Sequence, residues 1–177
     1  MSQGRGEADA GGAAGGEVRV RAATRDDMQH VHHMIHELAE FEGMPEGPRI
    51  SVDDLIRDGF ESSPGWFFGL VAESGGEVVG HALCNRAYSS WTRRAFYVED
   101  LYVRPRARRR GVGLRLLQHL CQMAVREGVH RVDWHVLESN AGALAFYGRL
   151  GARDMRRSEG RAAMRLDRPH IELIALR

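Results

Sequence analysis

A basic turn that contains glycine and precedes a long helical segment is the part of this chain best suited to bind an anion. Arg108, Arg109 and Arg110 stand directly before Gly111, and Gly113 follows. N–H groups in the first turn of a helix have no partner within it and lie at the positive end of its dipole. Glycine also lets phosphate oxygens approach the backbone. The pattern predicts a diphosphate site formed by Arg108, Arg109, Arg110, Gly111, Val112 and Gly113.

From the residues alone, other interpretations of this turn stay open. The glycines can simply shape a turn, and the arginines can form a solvated face or contact nucleic acid. We expect no nucleic-acid partner, because the run lacks interleaved aromatic residues and the formal net charge of the chain is only +1. The turn also differs from that of a P-loop, which needs a lysine, and this chain contains none.

Two adjacent acids interrupt the strand predicted over Arg94–Val103. Glu99 and Asp100 separate the apolar residues Phe96 and Val98 from a second apolar group that begins at Leu101. A carboxylate among apolar neighbours is unfavourable unless it is used or paired, so these acids are candidates for chemistry. The broken alternation predicts a β-bulge or a functional break. The competing interpretation is that both acids face solvent or form ion pairs.

Hydrophobic periodicity predicts an α/β (α+β) fold with a central, mostly antiparallel sheet flanked by helices. Strands are expected at Val18–Ala22, Phe67–Ala72, Val78–Tyr88, Arg94–Val103 and Arg131–Leu137, and near the C-terminus at Ala152–Arg157, Arg161–Leu166 and Ile171–Leu176. Helices are expected from the Thr24–Asp27 capping pattern to Phe41 and over Ser51–Gly59, Gly111–Glu127 and Asn140–Leu150.

The length of 177 residues fits one domain. We expect residues 1–17, which are rich in Gly and Ala, to form a disordered tail before a single domain over residues 18–177. Cys84 and Cys121 are expected to be small buried side chains without a disulfide. No apolar run approaches a signal peptide or the roughly 18 residues of a membrane helix, so we expect a cytoplasmic protein without a membrane partner.

Histidines in the first helix raise the question of a metal site. His32 and His36 share a helix face, but the residue directly after His32 is His33 instead of the glutamate of a zinc-protease motif. We therefore interpret the cluster of His30, His32, His33 and His36 as a solvated face and expect no metal.

The Arg108–Gly113 turn resembles the R/Q-x-x-G-x-G/A turn of the Gcn5-related N-acetyltransferase (GNAT) superfamily, and the order of elements agrees from Val18 to Leu166. Similarity is greatest to diamine acetyltransferases, meaning the spermidine/spermine and thialysine acetyltransferase-like proteins. It is carried by Glu37–Glu42, Asp58–Phe60, Tyr97–Val103, Asn140 and Phe146–Ala152. The resemblance implies transfer of acetyl from acetyl-CoA to a primary amine of a small molecule, by a homodimer. The alternatives are a protein or peptide N-acetyltransferase and a non-catalytic acyl-CoA-binding module.

The resemblance also implies roles for individual residues. Glu99 is the candidate general base, with Asp100 as the alternative, because an alkylamine must lose a proton before it attacks. Tyr147 is the candidate acid for the coenzyme A thiolate, although a buried tyrosine is also ordinary in a core. The backbone of Leu101, Tyr102 and Val103 is expected to receive the pantetheine arm. Asn140 is expected to contact coenzyme A, to cap a helix, or both.

The amine pocket is assigned by the same resemblance. Phe41 and Glu42 correspond to an aromatic and acidic pair that faces a cationic substrate, and Trp91 and Glu159 match positions near it. The competing interpretation of Phe41 and Glu42 is a helix end with an exposed acid. In Tyr88–Trp91, the acid of the spermidine-type pattern is missing, as in thialysine-type relatives. Arg161 replaces a common tryptophan, so a substrate with a carboxylate fits.

Overall fold

A computed structural model describes residues 16–160 and 162–176. The predicted disordered tail, residues 1–17, therefore falls almost entirely outside the described residues. The described chain forms two compact units, the first ending at His135 and the second beginning at Val136. The expectation of a single domain over residues 18–177 stays a prediction.

A five-stranded sheet forms the centre of the first unit, in the order β1-β2-β3-β4-β5. Neighbouring strands are antiparallel except β4 and β5, which are parallel. The mixed, mostly antiparallel sheet predicted from the sequence is confirmed. The strands are β1 (Val18–Ala22), β2 (Phe68–Ser74), β3 (Glu77–Ser89), β4 (Arg93–Val103) and β5 (Arg131–Trp134).

Helices cover both faces of this sheet, as an α/β arrangement requires. On one face, the fully buried Met28, Val31 and Met34 of α1 pack in one cluster with Leu55 of α2. Their spacing of three residues places them on one stripe of the helix. The helices are α1 (Met28–Phe41) after a 3-10 turn at Arg25–Asp27, α2 (Val52–Ile56) followed by a π-helical turn at Arg57–Glu61, and α3 (Val112–Arg126) after a 3-10 turn at Pro105–Ala107.

Helix α3 covers the opposite face of the sheet. Leu116, Leu120 and Ala124 lie in a second buried cluster with strand residues such as Phe96. Cys121, which was expected to be a buried side chain, is instead exposed. The buried stripe of α3 consists of Val112, Leu116, Leu117, Leu120 and Ala124.

The described residues of the second unit form three helices: α4 (Ala141–Arg149), α5 (Met155–Glu159) and α6 (Arg168–Ala175). Helix α4 agrees with the prediction, but the strands expected at Ala152–Arg157 and Ile171–Leu176 are wrong. The described part of the strand expected at Arg161–Leu166, residues 162–166, is irregular.

Helix-capping residues explain why these segments form helices instead of the predicted strands. Asp154 accepts from the N–H groups of Arg156 and Arg157, and Gly160 ends α5 in the left-handed region at φ 64°. In α6, a proline in the first turn suits a helix start. These signals outweigh the weak alternation of apolar residues on which the strand predictions rested.

Candidate active site

A β-bulge in β4 sets the geometry of the site. Leu83 of β3 lies opposite Asp100, whereas the next residue, Cys84, lies opposite Val98, so Glu99 is the extra residue in β4. One inserted residue reverses which face of the sheet the following side chains occupy. Phe96 and Leu101 therefore pack in the same α3-side cluster despite an odd spacing. The bulge predicted from the interrupted strand is confirmed.

The bulge also marks where β4 separates from β5. Pairing with β5 covers only Ala95–Val98, so Glu99–Val103 extends past the last β5 partner. On its other edge, the segment from Asp100 to Val103 stays paired with β3. Backbone groups on the β5-side edge are thus not bonded to β5 and can meet an extended ligand as another strand would. The segment includes all three residues predicted to contact the pantetheine arm.

An open cleft of about 710 Å³ lies beside the bulge within the first unit. Glu42, at the C-terminal end of α1, lines it together with Glu99 and Asp100. From the sequence, Glu99 and Asp100 were candidates for the general base and Glu42 for the amine pocket. The structure brings all three acids to one cleft. Further lining comes from apolar side chains, including Leu38, Phe67 and Leu83, and from the arginines Arg49 and Arg86.

Burial and charge act together on Glu42. Burial raises the pKa of this carboxyl above its usual value, and the negative charge of Asp100 raises it further. Among the described residues, Glu42 has no side-chain hydrogen bond and no ion pair. Two other acids of the cleft differ, since Asp54 and Asp58 both pair with Arg57. The cleft therefore offers a negatively charged site with partly buried walls, which favours an ammonium group.

The predicted anion-binding turn leads into α3. Gly111 precedes the helix with φ at 77°, in the left-handed region that favours glycine, and open space lies where a Cβ would stand. The first intrahelical bond runs from the N–H of Arg115 to the carbonyl of Gly111. The N–H groups before Arg115 then lie at the open end of a 15-residue helix. This geometry fits a diphosphate without a required contribution from arginine side chains.

The arginines of the turn are divided between structural partners and solvent. Arg108 donates from Nε to the carbonyl of Val103 at 2.8 Å. Arg106 pairs with Glu77, and Arg104 pairs with Glu37 of α1. Arg109 and Arg110 are exposed. Of the three arginines predicted to bind phosphate, Arg108 is thus held by the end of β4, whereas Arg109 and Arg110 lie at the surface of the turn.

Phe41 faces a cation that belongs to the chain. The guanidinium of Arg108 lies 4.8 Å from the centre of the Phe41 ring and 5.5 Å from that of Tyr102. These distances are typical of cation–π contacts. The aromatic ring that the sequence analysis assigned to the substrate therefore already joins the C-terminal end of α1 to the anion-binding turn.

Three other predicted residues belong to helices α4 and α5 of the second unit. Asn140 caps α4, where its side chain accepts from the N–H of Ala143 at 3.0 Å, so the capping role is confirmed. Glu159 lies in α5, 4.0 Å from Arg153. Tyr147 lies in α4, and burial raises the pKa of its hydroxyl. This tyrosine therefore keeps its proton at neutral pH.

Trp91 lies in the connection between β3 and β4 and is 82% exposed. Ser89 is buried, and its hydroxyl accepts from the N–H groups of Trp91 and Thr92 at 3.2 Å. The serine that replaces an acid of the spermidine-type pattern thus shapes this turn. Arg161, the residue interpreted as adding positive charge, lies outside the described residues.

The sequence analysis missed one polar residue beside the bulge. His81 of β3 is fully buried, and its Nε2 lies 4.0 Å from Oδ2 of Asp100. A histidine in an apolar strand carries no sequence signal that connects it with an acid 19 positions later. Arg49 and Arg86 were also missed, because only the folded chain places them in the cleft.

Helices of membrane-spanning length and apolarity do not occur in the described part of the chain. Within the same residues, no group of three or more His, Cys, Asp or Glu side chains could hold a metal ion.

Comparisons with known proteins identify relatives of this chain. The sequence profile of the acetyltransferase (GNAT) family matches residues 31–152. A thialysine N-epsilon-acetyltransferase of Mus musculus is 37% identical over 158 residues, which cover 85% of this chain and 92% of the mouse protein. A spermidine/spermine N(1)-acetyltransferase-like protein of Homo sapiens is 31% identical over 160 residues, which cover 86% of this chain and 23% of the human protein.

Among solved structures, an integron cassette protein from the mobile metagenome of Vibrio cholerae superposes with a TM-score of 0.71. It is 23% identical, and the alignment covers 89% of this chain and 97% of the other, so the likeness concerns the fold. The family profile and the curated relatives together show that the chain belongs to the GNAT family and is an N-acetyltransferase.

Proposed function

We propose that the protein transfers the acetyl group of acetyl-CoA to the side-chain amine of a small amino acid similar to thialysine. The observation that carries this proposal is the acidic cleft beside the β4 bulge, where Glu42, Glu99 and Asp100 meet. A small amine carries a positive charge at neutral pH, and this cleft provides the opposite charge next to the strand segment that is open to an extended ligand.

Acetyl-CoA supplies the thioester from which the acetyl group leaves. The start of α3 would bind its diphosphate through backbone N–H groups, with Gly111 leaving room for the approach. The free edge of Glu99–Val103 would bind the pantetheine arm and donate to the thioester oxygen from the backbone. Both contacts depend on the backbone, which agrees with the structural engagement of Arg108 at Val103.

Side chains of this chain are assigned three roles: one holds the acceptor by charge and two transfer protons. Glu42 and Asp100 would hold the ammonium of the acceptor by charge. Glu99, exposed to solvent at the bulge, would take the proton of the ammonium directly or through water. Tyr147 would give a proton to the departing sulfur, and its raised pKa keeps that proton available. The role of Tyr147 rests on the motif match alone.

The choice of an amino acid over a polyamine rests on two further observations. Arg49 and Arg86 add positive charge to the cleft, and a carboxylate could pair with either. Arg49 is exposed and has no ion pair with a described residue, whereas Arg86 already pairs with Glu127. A polyamine has no carboxylate that could pair with these arginines. The similarity to the mouse thialysine enzyme supports the same choice.

Acetyl-CoA-dependent thiol release tests the proposal directly. Thialysine, lysine, ornithine, putrescine, spermidine, spermine and a histone-tail peptide would be compared under the same conditions. We expect turnover of an amino acid with a side-chain amine to exceed that of spermidine. Arg49→Ala should raise KM for the amino acid and leave KM for putrescine unchanged. Arg57→Ala, which removes a neighbouring arginine that pairs with Asp54 and Asp58, is the matched control.

Other outcomes would replace the proposal. Preference for the histone-tail peptide would indicate a protein acetyltransferase. Tight acetyl-CoA binding without turnover of any amine would indicate a binding module. If the protein is active, Tyr147→Phe tests the role of Tyr147 as the acid. This variant should have a lower kcat than the wild type and should still bind acetyl-CoA.

We also propose a homodimer, by similarity to the diamine acetyltransferases. Size-exclusion chromatography with light scattering would measure the mass in solution. A monomer of 19.8 kDa at micromolar concentration would contradict this proposal.

A further inference from the structure

The most unusual polar group outside the proposed chemistry is the imidazole of His81. It is fully buried, and neither ring nitrogen has a hydrogen-bond partner among the described residues. Buried polar groups are nearly always satisfied, since an unmade hydrogen bond is unfavourable. An apolar side chain would fill this position at lower energy. The presence of a histidine here therefore needs a physical reason.

The sheet places His81 directly against the catalytic bulge. In β3, His81 lies between Val71 of β2 and Tyr102 of β4 in the strand pairing. Two residues further along the same face, Leu83 lies opposite Asp100. Because side chains alternate along a regular strand, Asp100 and Tyr102 lie on the same face of β4, and the Asp100 carboxylate approaches the imidazole of His81. The nearest atoms, Nε2 of His81 and Oδ2 of Asp100, are 4.0 Å apart.

Asp100 stands at the boundary between this buried position and the cleft. It lines the cleft with Glu42 and Glu99, whereas His81 does not. Carboxylates that share a site repel one another, and repulsion favours protonation of one of them. The charge of Asp100 already acts on Glu42. A hydrogen-bond donor behind Asp100 would fix the direction of its oxygens.

We propose that His81 is a positioning residue that acts through Asp100. Its Nε2–H would orient the Asp100 carboxylate into the cleft, where that carboxylate binds the acceptor ammonium. A small side-chain movement would shorten the present 4.0 Å separation to a hydrogen bond. This assignment rests on the proposed function, since it concerns the binding of the amine.

A double-mutant cycle measures whether the two residues act together. KM and kcat for the preferred amine would be determined for the wild type, His81→Phe, Asp100→Asn and the double variant. We expect His81→Phe to raise KM about tenfold with a smaller change in kcat, because a hydrogen bond to a charged group is lost. In the Asp100→Asn background, the same change should alter KM by less than about twofold. An equal effect in both backgrounds would overturn the proposal.

Matched variants separate this role from packing. His81→Gln keeps a donor, so it should recover part of the lost affinity that His81→Phe does not. Val71→Ala removes side-chain volume beside His81 without touching a polar group, and it should lower the melting temperature while KM stays unchanged. If Val71→Ala raised KM as much as His81→Phe does, His81 would be a packing residue only.

A spectroscopic measurement keeps the inference independent of turnover. The ¹⁵N resonances of the His81 imidazole in the wild type would be compared with those in Asp100→Asn. We expect the Nε2 resonance to move when the carboxylate is lost. If no amine is a substrate and this resonance moves, the proposed function fails but the pairing stands. An unchanged resonance would contradict the pairing whatever the enzyme acetylates.

Discussion

Helix α1 has a carboxylate at each end, and the fold stabilises the charge of one and disfavours the charge of the other. At the N-terminal end, Asp27 is 5% exposed and accepts from both terminal nitrogens of Arg21 at 2.6 and 2.8 Å. Thr24 donates to the same carboxylate from its backbone and its hydroxyl. These bonds lower the pKa of Asp27 to about 2. At the C-terminal end, Glu42 has a raised pKa and no such partners among the described residues.

The difference separates an acid that stabilises the fold from an acid that we propose binds a ligand. The N-terminal end of a helix favours negative charge, whereas the C-terminal end disfavours it. Asp27 therefore stands where the helix dipole, Arg21 and Thr24 all stabilise its charge. Glu42 stands where the dipole, burial and Asp100 all oppose its charge. Only a cation that enters the cleft would relieve that opposition, which is the behaviour expected of a binding residue.

The largest expected effect is the loss of kcat when the proposed general base in the cleft is replaced. Glu99→Gln should lower kcat about 100-fold or more, because loss of a general base removes that order of rate enhancement. Initial rates of thiol release with saturating amine and acetyl-CoA would measure it. Glu77→Gln, which changes a surface acid paired with Arg106, is the matched control and should retain the wild-type rate. A fall of less than about threefold in Glu99→Gln would assign proton removal to another group.

Asp27→Asn tests whether the acid at the N-terminal end of α1 stabilises the fold. A carboxyl pKa lowered from 3.8 to about 2 corresponds to about 2 kcal/mol of stability at neutral pH. The folded-state pKa is depressed, so this stability is present above the ordinary pKa and is lost as the pH falls toward about 2. Urea unfolding at pH 7 should show the full loss, and the gap from the wild type should narrow below about pH 4. Kinetic constants of the folded variant should stay unchanged.

Glu42→Gln should show the reverse pattern. Loss of the carboxylate should raise KM for the amine about tenfold, as expected for a lost ion pair in a partly buried site. Stability at neutral pH should not fall, because a raised folded-state pKa means that the charged form is disfavoured by folding. Thermal melting and amine titration of the same preparation would measure both. If Glu42→Gln lowered the melting temperature as much as Asp27→Asn does, Glu42 would also stabilise the fold, and the contrast between the two acids would be wrong.

The smallest effect concerns the coupling of Glu42 to Asp100. Asp100→Asn should lower the pKa of Glu42, since the charge of Asp100 is one of the two causes of its elevation. The change should be smaller than the whole elevation, because burial is the larger cause. Carboxyl ¹³C spectra recorded across a pH series would follow the titration of Glu42. An unchanged titration would mean that the two groups do not interact.

The sequence predicted most of the first unit because its signals were local. The capping pattern at Thr24 and Asp27 and the glycine before α3 each depend on neighbours in the chain, and the structure confirms both. The bulge in β4 was also predicted, because an odd spacing between Phe96 and Leu101 cannot keep one face of a regular strand. The C-terminal strands were wrong because weak alternation was weighted above the caps at Asp154 and Gly160.

By itself, the sequence determined the family resemblance, the glycine-containing turn before α3 and the acids at positions 99 and 100 in β4, since residue type and spacing carry that information. The tertiary structure decided what each charge faces. It paired Arg108 with Phe41 and Val103, gathered Glu42 into the cleft with the bulge, and placed His81 behind Asp100. These contacts join strands and helices that are distant in the chain. Their strengths depend on burial and distance, and both arise only when the sheet and its helices pack together.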